Sequence, residues 1–211
     1  MRPAEVDREV ERLAFFSDAV FAVALTLLVI HIAIPASYVT SDVLHDSLGD
    51  VVPELVGFGI SFAVISVLWV DHHRLFDYLQ RRDEGLLWMT LAFLLCIAFL
   101  PFPAGVFTKH MGAPVAVLLF AGSMFVTALV WSSLWWFATA GSRLVDDSVD
   151  RAARRRVLDR SLWTAATFAL SAPAVLVTFH IGEVYLTLAP VIWVVGLVAT
   201  RLWLTRWAAA A

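Results

Sequence analysis

The sequence predicts an all-α integral membrane protein with six transmembrane helices and both termini in the cytoplasm. Three observations carry the prediction. Of the 211 residues, 61% are hydrophobic and 16% charged, with a mean hydropathy of +0.82; soluble domains hold about 25% charged residues. Apolar stretches recur that are long enough to cross a hydrocarbon core of about 30 Å. The basic residues are asymmetric: every Lys and Arg except Lys109 lies before the first stretch, between the second and third, between the fourth and fifth, or towards the end of the sixth. The positive-inside rule places those segments in the cytoplasm, and the alternation requires an even number of spans.

The elements follow in order within a single domain, residues 1–211. Residues 1–11 are charged and no small-residue cleavage site follows a short apolar core, so the first helix is expected to be retained. That helix covers residues 13–34 and stops at Pro35. A polar segment, 37–50, leads into helix 2 at 51–79, which Arg81, Arg82 and Asp83 end on the water side. Helix 3 covers 86–100 and is expected to break at Leu100-Pro101-Phe102-Pro103. Pro101 lacks a backbone donor and disfavours helix at the residue before it. Helix 4 covers 113–140, and a strongly charged cytoplasmic linker follows at 142–160. Helix 5 covers 162–179, with a kink expected at Pro173, and helix 6 covers 185–207, with Pro190 near its start.

Trp135, Trp136, Trp163, Trp203 and Trp207 fall near cytoplasmic helix ends, as an interfacial aromatic belt would. Ser132 and Ser133 are expected to bond backbone carbonyls or a neighbouring helix. The linker arginines from Arg151 to Arg156 follow Asp146, Asp147 and Asp150. They read first as a solvated amphipathic segment and second as an anionic-lipid contact.

The chemistry is concentrated in helix 1. Residues 12–35 read RLAFFSDAVFAVALTLLVIHIAIP, with Arg12, Ser17 and Asp18 at one end. A carboxylate in a membrane helix is costly without a partner, which makes Asp18 a candidate functional residue. Val23, Thr26, Leu27 and Ile30 recur at i, i+3, i+4 and i+7, one helical face that is apolar except for a hydroxyl. Asp18 lies about 140° from Val23 at 100° per residue and so turns away from that face. Helix 2 runs the opposite way, which brings Trp69, Asp71, His72 and His73 to a similar depth. Trp69 and His73 share a face at i, i+4. This polar layer reads as structural or gating rather than as part of an ion path. His72 and His73 point to different faces and no other ligand recurs at helical spacing, so no metal site is expected. The lone Cys96 excludes a disulfide within the chain and a cysteine-cluster metal site. The net charge of −3 gives no sign of a nucleic-acid partner.

The R-x-x-x-F-S-D pattern of Arg12, Phe16, Ser17 and Asp18, with the AVFAVALTLLVIHI that continues it, resembles the first helix of the transmembrane protein 175 family of potassium channels. Trp69 with His73, and the Leu100-Pro101-Phe102-Pro103 run, support the resemblance. It is strong over 12–35, looser over 65–103, and rests on helix count beyond about 110. It implies a cation channel whose central pore is lined by helix 1. A single six-helix repeat implies a homotetramer in a bacterial or archaeal plasma membrane, with potassium and other monovalent cations as permeant ions and no cofactor. Position by position, the constriction matches Val23, Leu27 and Ile30, and the selectivity layer matches Thr26. The polar network matches Arg12, Phe16, Ser17 and Asp18, with Trp69 and His73 as helix 2 partners. His31 departs from the pattern, since relatives often have an acid there. By spacing alone Val23, Leu27 and Ile30 are an ordinary packing face; the family pattern assigns them to a pore.

Rings of apolar side chains can gate by excluding water, because a cation stripped of water there has no compensating ligands. No T-V-G-Y-G filter and no helix with arginine at every third position is present. The alternative class is a proton-coupled secondary transporter using Asp18 and His73, though the two halves share no visible motif. An enzyme is not expected, since Ser17 lacks a base at a fixed position.

Overall fold

The computed structural model describes residues 3–32, 41–81, 83–110, 113–140, 144–145, 151–178, 192–196 and 198–199. The order is α1 (Pro3–Leu27), a 3-10 turn (Leu28–His31), α2 (Ser41–Tyr78), α3 (Glu84–Phe99), α4 (Pro101–Lys109), α5 (Pro114–Thr139) and α6 (Arg151–Thr178). Residues 192–196 and 198–199 are also helical. Among the described residues the only β pairing is an isolated bridge between Leu79 and Val145. Among the described residues, four segments are long and apolar enough to cross a membrane: Glu9–Ile30, Val51–Tyr78, Glu84–Lys109 and Pro114–Thr139.

Helix 1 begins at Pro3, ten residues before its expected start, and gives way to the 3-10 turn after Leu27. Three further boundaries differ from the sequence expectation, each for a local reason. The polar stretch before helix 2 is helical from Ser41 onward. No proline interrupts it before Pro53, so the polar residues extend the helix beyond the apolar span. At Leu100 the chain does not break. Leu100 keeps helical dihedrals, and the bonds Leu100 N–H to Cys96 O and Ala104 N–H to Leu100 O run straight through. Pro101 occupies the first position of α4, where its missing donor matters least. The 15 residues expected for helix 3 would reach only about 22 Å, whereas α3 and α4 together match the hydrocarbon core. Finally, α6 starts at Arg151, so the second half of the charged linker is helix, and Pro173 lies inside it. Residues 185–191, 197 and 200–207 of the expected sixth helix, with Trp203 and Trp207, lie outside the described residues.

The helices pack through aromatic layers. Near the end that carries the arginines, Phe93 stacks on His72 and touches Phe21 and Trp131. Towards the other end, Trp193 sits among Phe107, Phe120 and Phe168 at 5.4–5.5 Å between ring centroids. Small residues allow the close approaches: a Cβ on Gly57 would lie 3.1 Å from the Thr108 backbone, joining α2 to α4. Half of the apolar window of α5 is buried inside the chain, against 28% for α1. Of the four spans, α5 is therefore the most enclosed by the described residues and α1 the least.

Candidate functional site

Helix α1 has two faces of opposite character. Leu13, Ser17, Phe21, Ala24 and Leu28, spaced four or three apart, are buried against the rest of the chain. The remaining arc is open. Val23, Leu27 and Ile30 are 57%, 38% and 69% exposed, and Phe15, Phe16 and Val29 share that exposure. Thr26 is exposed within this arc, and its hydroxyl donates to Val23 O at 2.9 Å. With its proton committed to the backbone, the oxygen is left as an acceptor.

The polar layer assembles around α1 and α2. The Trp69 indole Nε1–H donates to Asp18 Oδ1 at 2.8 Å, and Trp69 stacks on His73 with 5.4 Å between ring centroids. These contacts join three of the sequence candidates. The other three stand apart: the Ser17 hydroxyl donates to Leu13 O of its own helix, while Arg12 and Phe16 are exposed. Asp18 thus faces α2 and not the open arc, as the helical angle implies. His72 and His73 diverge, the first buried against Phe21, Phe76, Phe93 and Trp131, the second exposed.

Two further features escaped the sequence. Asp71, two residues beyond Trp69, is buried and forms an ion pair with Arg160 of α6. Asp71 was a visible signal, a charge inside the apolar span of helix 2 that needs a partner, but Arg160 reads as one more solvated linker arginine. Trp135, expected in the interfacial belt, is instead buried at 1% exposure. Its indole donates to Arg154 O at 3.0 Å, and the Arg154 guanidinium donates back to Thr139 O. Helical α6 supplies that partner at the depth of Trp135, so the side chain turns inward. Trp136 and Trp163 are exposed, as a belt requires. Ser132 lies 2.8 Å from the Ser161 hydroxyl of α6, and Ser133 bonds Leu129 O. At the same end, Gln80 N–H and Arg81 N–H both reach Leu144 O, tying the α2–α3 connection to the segment before α6.

The arrangement combines an open, mostly apolar helix face with a polar layer that fixes that helix to its neighbour. The family described as "Endosomal/lysosomal potassium channel TMEM175" matches residues 12–101. A potassium channel from Chamaesiphon minutus is 36% identical over 155 residues, which cover 72% of this chain and 76% of that protein. The crystal structure of a lysosomal potassium-selective channel TMEM175 homolog from Chamaesiphon minutus superposes with a TM-score of 0.74 at 27% identity, covering 92% of this chain and 98% of the other. An endosomal/lysosomal proton channel from Danio rerio is 22% identical over 138 residues, 65% of this chain and 26% of that protein. With its apolar spanning helices and this fold, the chain is a multi-pass membrane protein that belongs to the TMEM175 family of channels.

Proposed function

We propose that this chain is a potassium-preferring cation channel of a prokaryotic plasma membrane, a homotetramer whose pore is lined by α1. One observation carries the reading: the exposed arc of α1 holds Val23, Leu27 and Ile30 with Thr26 among them, and none of the described residues covers it. A hydrophobic arc on a membrane helix could face lipid, but an oxygen acceptor within it has a use where ions pass. Four symmetry-related arcs would enclose a lumen of apolar rings that resists wetting when narrow and conducts when widened. Four Thr26 oxygens would replace part of an ion's hydration shell. Asp18, held by Trp69, would anchor the foot of α1 and set the width of the rings. The names of its bacterial relatives favour potassium as the permeant ion; no cofactor is called for.

The direct test is recording of the purified protein in planar bilayers under a potassium/sodium gradient. Discrete current steps reversing near the potassium equilibrium potential are expected. Leu27→Ala and Ile30→Ala should raise basal conductance, and unchanged currents in both would remove these residues from the constriction. Silent bilayers with saturable uptake into vesicles would favour a carrier using Asp18 and His73. Currents that follow a pH gradient and ignore potassium would favour proton conduction, the activity in the name of the Danio rerio relative.

A further inference from the structure

The start of α6 sorts its arginines by direction. Arg154 donates to the Thr139 carbonyl and Arg160 pairs with Asp71, so both face the protein. Arg155 is exposed and Arg156 half-exposed, and neither makes an ion pair with any described residue. At 100° per residue, Ala152, Arg155, Arg156, Asp159, Trp163 and Leu170 fall on one side of the helix, opposite the buried Ser161, Ala165 and Phe168. Along this outward stripe the chemistry grades from apolar Leu170, 67% exposed, through Trp163, 57% exposed, to the two arginines.

The Arg160–Asp71 pair sets the depth of the stripe. It places Arg160 level with a residue seven before Tyr78, where the apolar span of α2 ends. Arg156 and Arg155 lie about 6 and 7.5 Å farther out along α6, towards that boundary. Trp163 lies about 10 Å from Arg156 on the hydrocarbon side. The backbone of Arg155 and Arg156 lies about 3–4.5 Å short of that boundary, a gap that the long arginine side chains span to reach the headgroups. Guanidinium groups there, above an exposed indole, match the order of a phospholipid: headgroup, interface, acyl chain. Two forked donors favour a phosphate ester. Asp159, between them and the indole, disfavours an uncovered anion and favours one whose position is held by an acyl chain running along Trp163 and Leu170.

We propose that Arg155, Arg156 and Trp163 form a headgroup site for an anionic phospholipid on the outward face of α6. The site is separate from the α1 arc, so it stands whichever ion the channel conducts. The test uses the full-length protein in detergent, titrated with dioctanoyl phosphatidylglycerol and followed by native mass spectrometry. Dioctanoyl phosphatidylcholine and inorganic phosphate serve as comparison probes. Phosphatidylglycerol should bind at least tenfold tighter than phosphatidylcholine. Arg155→Gln with Arg156→Gln should reduce that preference about tenfold or more, the order expected for removing two basic residues from an anionic surface. Arg155→Lys with Arg156→Lys should retain part of it, which separates loss of charge from misfolding. Equal binding of the two lipids, or an unchanged preference in the glutamine variant, would overturn the site. Full displacement by millimolar phosphate would make it a phosphate site and not a lipid site. A changed oligomer mass in the glutamine variant would make the face a subunit contact and overturn the proposal.

Discussion

Asp18 is bonded by an indole N–H rather than by a cation. A neutral donor holds a carboxylate by direction as well as by charge, which fixes the rotation of α1 about its axis. Trp69→Phe removes the donor while keeping most of the ring. Leaving the half-buried carboxylate unsatisfied should cost about 1–3 kcal/mol, read as a lower melting temperature of the purified protein. Asp18→Asn should impair assembly or open probability and leave selectivity alone; a stable, fully active assembly would contradict an anchoring role. At Thr26 the hydroxyl donates to Val23 O, so Thr26→Val removes that bond within the helix together with the outward acceptor oxygen. The reversal potential in mixed potassium and sodium should then move towards that of an unselective pore, whereas Thr26→Ser should hold it.

The helices show how context overrides local signals. Pro101 reads as a breaker, yet it sits at the first position of α4 with helical bonds on both sides of it. The apolar demand of a full span outweighs one missing donor. At the start of α3, Asp83 caps the helix by accepting from Leu86 N–H at 2.8 Å. Asp83→Ala should cost about 1 kcal/mol, detectable as earlier thermal unfolding. Between α2 and α4 there is no room for a side chain at Gly57, given the Thr108 backbone at 3.1 Å. Gly57→Leu should separate these helices, destabilising the fold by about 1–3 kcal/mol, while Gly59→Ala, where nothing lies within 4 Å, should be tolerated. Equal stability of both variants would refute the close packing.

Across the whole molecule, the end that carries the arginines is tied more elaborately than its loops suggest. Asp18–Trp69 joins α1 to α2, Asp71–Arg160 joins α2 to α6, and Trp135 with Arg154 joins α5 to α6. Motion of α6 would therefore reach the foot of α1 through two side-chain contacts on α2. Breaking the middle link with Arg160→Gln leaves a buried carboxylate without its cation and should lower the melting temperature by several degrees, since a broken buried pair costs about 3 kcal/mol or more. The exchange Asp71→Arg with Arg160→Asp should recover part of that loss. If the exchange behaves no better than the single variant, the pair is not what couples these helices.

How much was legible follows from which forces act locally. Membrane insertion is set by composition over some twenty residues, and the positive-inside pattern by loop charge, so the helical membrane class and the four apolar spans found among the described residues could be read directly. Helical periodicity also separates Asp18 from Val23, Thr26, Leu27 and Ile30, but by spacing alone those apolar residues read as a packing face. Only the packed helices show them exposed and Leu13, Phe21, Ala24 and Leu28 buried. Among the described residues, Asp18 alone of the R-x-x-x-F-S-D set bonds helix 2, through Trp69, whose depth on that helix had suggested the pairing. Only the tertiary structure decided that Trp69 takes Asp18 while Ser17 bonds its own helix, since a hydroxyl in an apolar helix accepts whichever carbonyl lies nearest. Likewise only the packed helices turned Trp135 inward and gave Asp71 its partner 89 residues away. Those outcomes depend on the rotation and depth of one helix against another, which burial and polar satisfaction select together and no single stretch of sequence contains.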